Sequence, residues 1–175
     1  MTKSIKPYIP CSNYPLKHVC VYSKYSSDLP KNNIMAHNGD IEGIKKIISM
    51  GIILSEETIL TFALCGNKNG VDELLKLKKT TGENIFDLSV KLFNCACASG
   101  NVELIKYLQE KGCDENESSI LEIIGNGHKK ETIIWALKNL RYIGYDKYHQ
   151  TNIITAAVGS GNLDIVKFLI NNGYM

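Results

Sequence analysis

The chain has 175 residues, 44% of them hydrophobic and 22% charged, with a formal net charge of +2. That length suits one domain with a sizeable core, and the apolar fraction is too high for a disordered polymer. The charge is mild and the lysines are spread along the chain, so no nucleic-acid partner is expected.

Nineteen lysines stand against a single arginine, Arg141, beside 22 isoleucines and 16 asparagines. This usage follows A/T-rich codons, and the lack of arginine forks argues against phosphate recognition. No segment reaches the ~18 apolar residues that span a bilayer, and residues 1–25 hold no apolar run fit for a signal peptide. No membrane partner is expected, and the chain reads as cytoplasmic and not secreted. Cys65, Cys95 and Cys97 lie within apolar helical patterns as small hydrophobes, and with Cys11, Cys20 and Cys113 they read as reduced thiols. Asn116-Glu117-Ser118 is then a chance glycosylation match.

In chain order, residues 1–30 come first, as an irregular arm. All four prolines (Pro7, Pro10, Pro15, Pro30) and four of nine tyrosines fall there, and proline fixes φ and removes a donor. Cys11, His18 and Cys20 do not have a standard zinc spacing and no fourth ligand is evident, so no metal is expected. From 31 to 175 the chain is proline-free and reads as helical repeats of approximate bounds 31–55, 56–86, 87–116, 117–147 and 148–175.

Three segments carry the repeat without gaps: Met35 to Ile47, Ala96 to Leu108 and Ala157 to Leu169. Their glycines, Gly39, Gly100 and Gly161, lie 61 residues apart, and Gly51, Gly112 and Gly173 follow each by 12. The first glycine is expected to end a helix in the left-handed region. Asp40, Asn101 or Asn162 then caps the next helix, with Glu42, Glu103 or Asp164 in its first turn. Apolar residues follow at helical spacing, as in Val102, Ile105 and Leu108, and the second glycine stops the helix. Looser units fill the gaps, at Asn69 to Leu77 and His128 to Leu137, which makes the period about 30 residues. One such unit cannot bury its apolar face alone, so the units must stack.

Between these elements, chemistry is sparse. Lys79-Thr80-Thr81-Gly82-Glu83-Asn84 lacks the order of a phosphate loop and reads as a finger-like turn. His37, His128 and His149 stand in no recognisable triad with Ser or Cys and a carboxylate. No enzyme activity and no cofactor are expected. Trp135 takes the place of Tyr107 or Phe168 in other units, a packing position.

Ala96-Cys97-Ala98-Ser99-Gly100-Asn101-Val102-Glu103-Leu104-Ile105-Lys106-Tyr107-Leu108 through Gly112-Cys113-Asp114 resembles the ankyrin family. The pattern recurs from Ala157 to Gly173 and more faintly from Met35 to Gly51. The wording Gly161-Asn162-Leu163-Asp164-Ile165-Val166-Lys167-Phe168-Leu169-Ile170 is similar to ankyrin-repeat proteins of giant DNA viruses (mimivirus-like). The resemblance implies an all-α solenoid of about five helix-turn-helix repeats. No unit has the family's Thr-Pro-Leu-His opening, whose histidine position is taken by Asn33, Asn94 and Thr155. The period of about 30 residues falls short of the family's ~33, so the fingers are expected to be short and degenerate.

The resemblance also implies a non-catalytic scaffold for a protein partner, bound on the concave and finger face. Asn84, Phe86, Asn116, Glu117, Tyr145, Tyr148 and His149 are the candidate contacts, because they lie in connecting segments and aromatics supply hot spots. Two alternatives stand beside it. The arm, unless it simply caps the apolar end of the first repeat, is a docking segment of an adaptor that links a host protein to a ubiquitin ligase, or the apolar last helix supports self-association, the array being uncapped or truncated there.

Overall fold

In a computed structural model the described residues are 31–79, 81–140 and 147–174; the side chains of 31–33 and 147–151 are not described. They form ten helices: α1 Lys31–His37, α2 Ile41–Ser49, α3 Glu57–Leu64, α4 Lys68–Leu75, α5 Val90–Ser99, α6 Val102–Glu110, α7 Glu117–Gly125, α8 Lys130–Asn139, α9 Lys147–Ser160 and α10 Leu163–Asn171. The expected all-α solenoid is what forms. The arm, with Cys11, His18 and Cys20, and Tyr145 lie outside the described residues.

Odd-numbered helices make an inner row and even-numbered helices an outer row. Each inner helix packs against the next inner helix and against its own outer partner, whereas outer helices touch one another much less. The packing between repeats is thus carried mainly by the inner row, the row that lines the concave face in solenoids of this kind.

Local chemistry sets the turn between the two helices of a pair. Gly39, Gly66, Gly100, Gly127 and Gly161 all take positive φ, from 65° to 72°. The following side chain then caps the outer helix. Asp40 accepts from Gly43 N, Asn67 from Gly70 N, Asn101 from Glu103 N and Leu104 N, and Asn162 from Ile165 N. Each such bond meets one of the amides that a helix start leaves without a partner. The α8 start is the exception, with Lys129 as a cap that makes no side-chain bond. At the far end of the outer helices Gly51, Gly112 and Gly173 are again left-handed, with φ from 78° to 82°.

These turn glycines are spaced alternately by 27 and 34 residues, which together make the 61-residue register. One longer unit spends the difference on a finger between α4 and α5. The other holds the 14-residue α9. In the second unit the sequence pattern points to Asn69-Gly70, but the turn is three residues earlier, at Gly66-Asn67, and Gly70 is inside α4. There a Cβ would collide with the Phe62 ring, so the missing side chain lets α4 lie close on α3.

The core runs the length of the stack as one cluster, from Ala36 and Ile44 to Ile165 and Leu169. Phe62 and Phe93 are its largest fully buried side chains. Burying each such side chain contributes roughly 1.5–3 kcal/mol. Among the described residues no helix is long and apolar enough to cross a membrane.

Candidate functional site

The described part of the finger comprises residues 77–79 and 81–86. Leu77 O accepts from Ile85 N at 3.2 Å, and Glu83 O accepts from Lys79 N at 2.7 Å. Lys78 and Asn84 form an antiparallel bridge, and Gly82 turns the tip with φ of 87°. Lys79 Nζ and Glu83 Oε2 close it at 3.1 Å. The expected finger-like turn is thus present, and it holds the one isolated β-bridge among the described residues.

Phe86, at the finger's base, is only 4% exposed and belongs to the core. This corrects the expectation of an exposed ring: Phe86 is buried and lines the hollows at the finger's base from beneath. Asn84 is exposed, accepts from Lys78 Nζ, and donates Nδ2 to Asp87 Oδ1 at 3.3 Å. Asn116 and Glu117 are exposed one repeat further along, at the start of α7. There the Ser119 hydroxyl accepts from Asn116 N at 3.2 Å and donates to Asn94 Oδ1 at 2.7 Å. Asn94, predicted to stand where the family has histidine, therefore ties inner helix α5 to α7. Tyr148 and His149 lie in the first turn of α9, and their side chains are outside the described residues, as is all of Tyr145.

Two hollows flank Phe86. The inner one, about 220 Å³, is lined by Glu56, Ile59, Ile85, Phe86, Asp87 and Ser89. The outer one, about 180 Å³, lies among Asp72, Leu75, Lys76, Asn84, Phe86, Leu88, Tyr107 and Lys111. Both are smaller than the ~300–1,000 Å³ of small-molecule sites and match a single side chain better than a metabolite.

In the outer hollow the Tyr107 hydroxyl donates to Asp72 Oδ1 at 2.6 Å, and Lys76 Nζ lies 2.6 Å from Asp72 Oδ2. The Lys76 bond, then the Tyr107 bond, hold the Asp72 carboxyl below its usual range. Burial first, and then Asp72, push the Tyr107 phenol up. Lys111 and Lys68 sit over the same ring, 5.5 and 5.7 Å from its centre. Trp135 and Phe168 repeat the arrangement under Lys106 and Lys130 at 5.7 and 4.9 Å. All three rings are partly buried against the core, in keeping with the packing position predicted for Trp135.

Three of the described thiols are quiet. Burial, and then the carboxylates of Glu122, Glu57 and Glu56, push Cys95 up to about 12. Burial also raises Cys97 and Cys113, and the Cys113 thiol donates to Ser89 O at 3.2 Å. These cysteines are protonated packing residues at neutral pH.

Sequence reasoning missed Glu56, Asp87 and Ser89, which the finger brings together across the α3–α5 boundary. It also missed His128, whose Nε2 lies 2.8 Å from Ala98 O of the preceding repeat. The signal available for His128 was its place directly after Gly127, the place Asn101 holds after Gly100.

Residues 92–175 match the family model described as ankyrin repeats (3 copies), just under half of the chain and the part that runs from α5 to the end of α10. No curated protein matches the chain. Ankyrin repeats are therefore present in this protein, and the same turn, cap and inner-row packing extend from them back through α1 to α4.

Proposed function

We propose that the chain is a non-catalytic protein-binding scaffold that engages its partner on the inner helices and the finger end. Ankyrin repeats are in general protein–protein interaction modules. The observation that carries the reading is the finger beside an uninterrupted inner row, with side-chain-sized hollows at its base. Asn84, Asn116 and Glu117 are the exposed contacts we assign, with Tyr145, Tyr148 and His149 as further contacts on the sequence evidence. A host protein as partner rests on the resemblance of the last repeat's wording to ankyrin-repeat proteins of giant DNA viruses alone.

The test is site-specific photo-crosslinking. A photoreactive residue at Thr61 or Ser118 should cross-link one partner from lysate, and the same group at the outer-row position Glu110 should not. Cross-links from Glu110 alone would sink the reading. Tyr145→Ala with Tyr148→Ala should weaken capture.

Self-association is a second reading. Val158 is 60% and Leu163 62% exposed, an apolar surface on the last helix pair. A sedimentation mass that rises with concentration in the parent chain, but not in Leu163→Glu, would favour it. An adaptor role for residues 1–30 predicts that their deletion loses a partner without lowering stability.

A further inference from the structure

The concave row has a charge of its own. Among the described residues, the inner hollow and the inner helices on either side of Cys95 carry the carboxylates of Glu56, Glu57, Asp87 and Glu122, with the ammonium of Lys91 beside them, in a chain whose total charge is +2. The pair of Lys91 with Glu56 is loose, at 3.7 Å, with Lys91 75% and Glu56 50% exposed. Such a pair contributes little and exchanges readily for a better-placed cation. Glu56 also accepts weakly from Ser89 Oγ at 3.4 Å.

We infer that this face takes a basic segment of a partner protein, with one lysine or arginine side chain lodged in the inner hollow between Glu56 and Asp87. The hollow has the two chemistries that such a side chain needs. Its floor is apolar, from Ile59, Ile85 and Phe86, and suits an aliphatic stem. Its rim carries two carboxylates for the cationic head. The outer hollow on the far side of Phe86 offers a cation less, since its one carboxylate, Asp72, is already held by Lys76 and by the Tyr107 hydroxyl. The two sides of the finger therefore differ in the negative charge they leave available, and complementarity of this kind selects partners and orients their approach. A negative field reaching both neighbouring repeats agrees with this, because Glu122 of α7 and Glu57 of α3 both act on Cys95 of α5.

The inference rests on the inner-face reading and is tested separately from it. The probe is a fluorescein-labelled ten-residue peptide of alternating Lys and Gly, with a Glu/Gly peptide as its counterpart, read by anisotropy against the whole chain. The Lys peptide should bind at about 50 mM salt and weaken about tenfold at about 300 mM. Glu56→Gln with Asp87→Asn, which keeps the hydrogen-bond acceptors, should weaken it about fivefold, a loss of about 1 kcal/mol. Glu57→Gln with Glu122→Gln should act in the same direction, whereas Glu103→Gln with Glu131→Gln on the outer row should leave it unchanged. Equal binding of the Glu peptide, or undiminished binding by both inner-face variants, would overturn the inference. If Thr61 cross-links a partner whose capture ignores the Glu56 and Asp87 changes, the inner face stands and the basic partner falls. If Thr61 and Ser118 cross-link nothing, both fall.

Discussion

His128 Nε2 donates to the carbonyl of Ala98, 2.8 Å away, and so fastens the fourth repeat to the third. A carbonyl only accepts, so this nitrogen carries the proton. Ala98 lies in the last turn of α5, where carbonyls lack partners within the helix. One repeat earlier the same work falls to an amide, since Asn101 Nδ2 donates to Gly66 O at 2.7 Å. Replacing His128 with alanine should cost about 1–3 kcal/mol, the range for leaving a buried acceptor unmet, measured by urea unfolding.

The same residue sets a pH response. Burial holds the His128 imidazole below its ordinary 6.5, against the opposing effect of its bond to Ala98. Below pH 6.5 the unfolded chain therefore takes up a proton that the folded chain resists. Stability from this site is fully present above that pH and is lost as pH falls toward the folded value. The thermal midpoint of the parent should drop more between about pH 7.5 and 5 than that of His128→Asn, which keeps a donor without a titration. Parallel curves would refute this.

Two turn glycines separate backbone strain from crowding. Gly100 and Gly161 have φ of 67° and 72°. A Cβ on Gly100 would lie 2.5 Å from His128 Nδ1, whereas one on Gly161 meets nothing within 4 Å. Gly161→Ala should cost only the left-handed penalty of about 1–2 kcal/mol. Gly100→Ala should cost more and lose the His128 bond, visible as loss of the pH response above.

Tyr107→Phe removes the hydroxyl that bonds Asp72 at 2.6 Å. Asp72 keeps Lys76 and is partly exposed, so the expected cost is only about 1 kcal/mol. The second signature is more specific: the Asp72 carboxyl should titrate at higher pH in the variant, as followed by NMR of its side chain.

Phe86 and Asn84 should behave oppositely. Phe86→Ala empties a buried site and should cost about 3–5 kcal/mol. Asn84→Ala touches an exposed side chain and should change stability by less than about 0.5 kcal/mol while weakening capture of the cross-linked partner. An Asn84 variant that captures normally would remove that residue from the contact surface.

The repeat was legible because it is written in residues whose roles are local. Gly100 followed by Asn101 announces a left-handed turn and a cap from two letters, and both form as read. The second unit was harder, because Gly70 lies near the expected motif but serves close packing against Phe62. Most contacts between repeats were not legible, His128 after Gly127 being one with a signal. Glu56 and Asp87 lie 31 positions apart, and only the fold of the finger puts them on one hollow. Phe86 looked like a surface aromatic because loops usually carry such residues outward. Its burial depends on a finger that folds back over Ile59.

The uneven packing of the two rows gives the molecule mechanical character. With neighbours joined firmly along the inner row and only lightly along the outer, bending pivots on the inner seam. A change of radius in such a stack would be taken up as small tilts between adjacent pairs, in the manner of a leaf spring. A target slightly too wide or too narrow for the resting curve is met by distributing the misfit over several seams, and no single helix has to unwind to admit it.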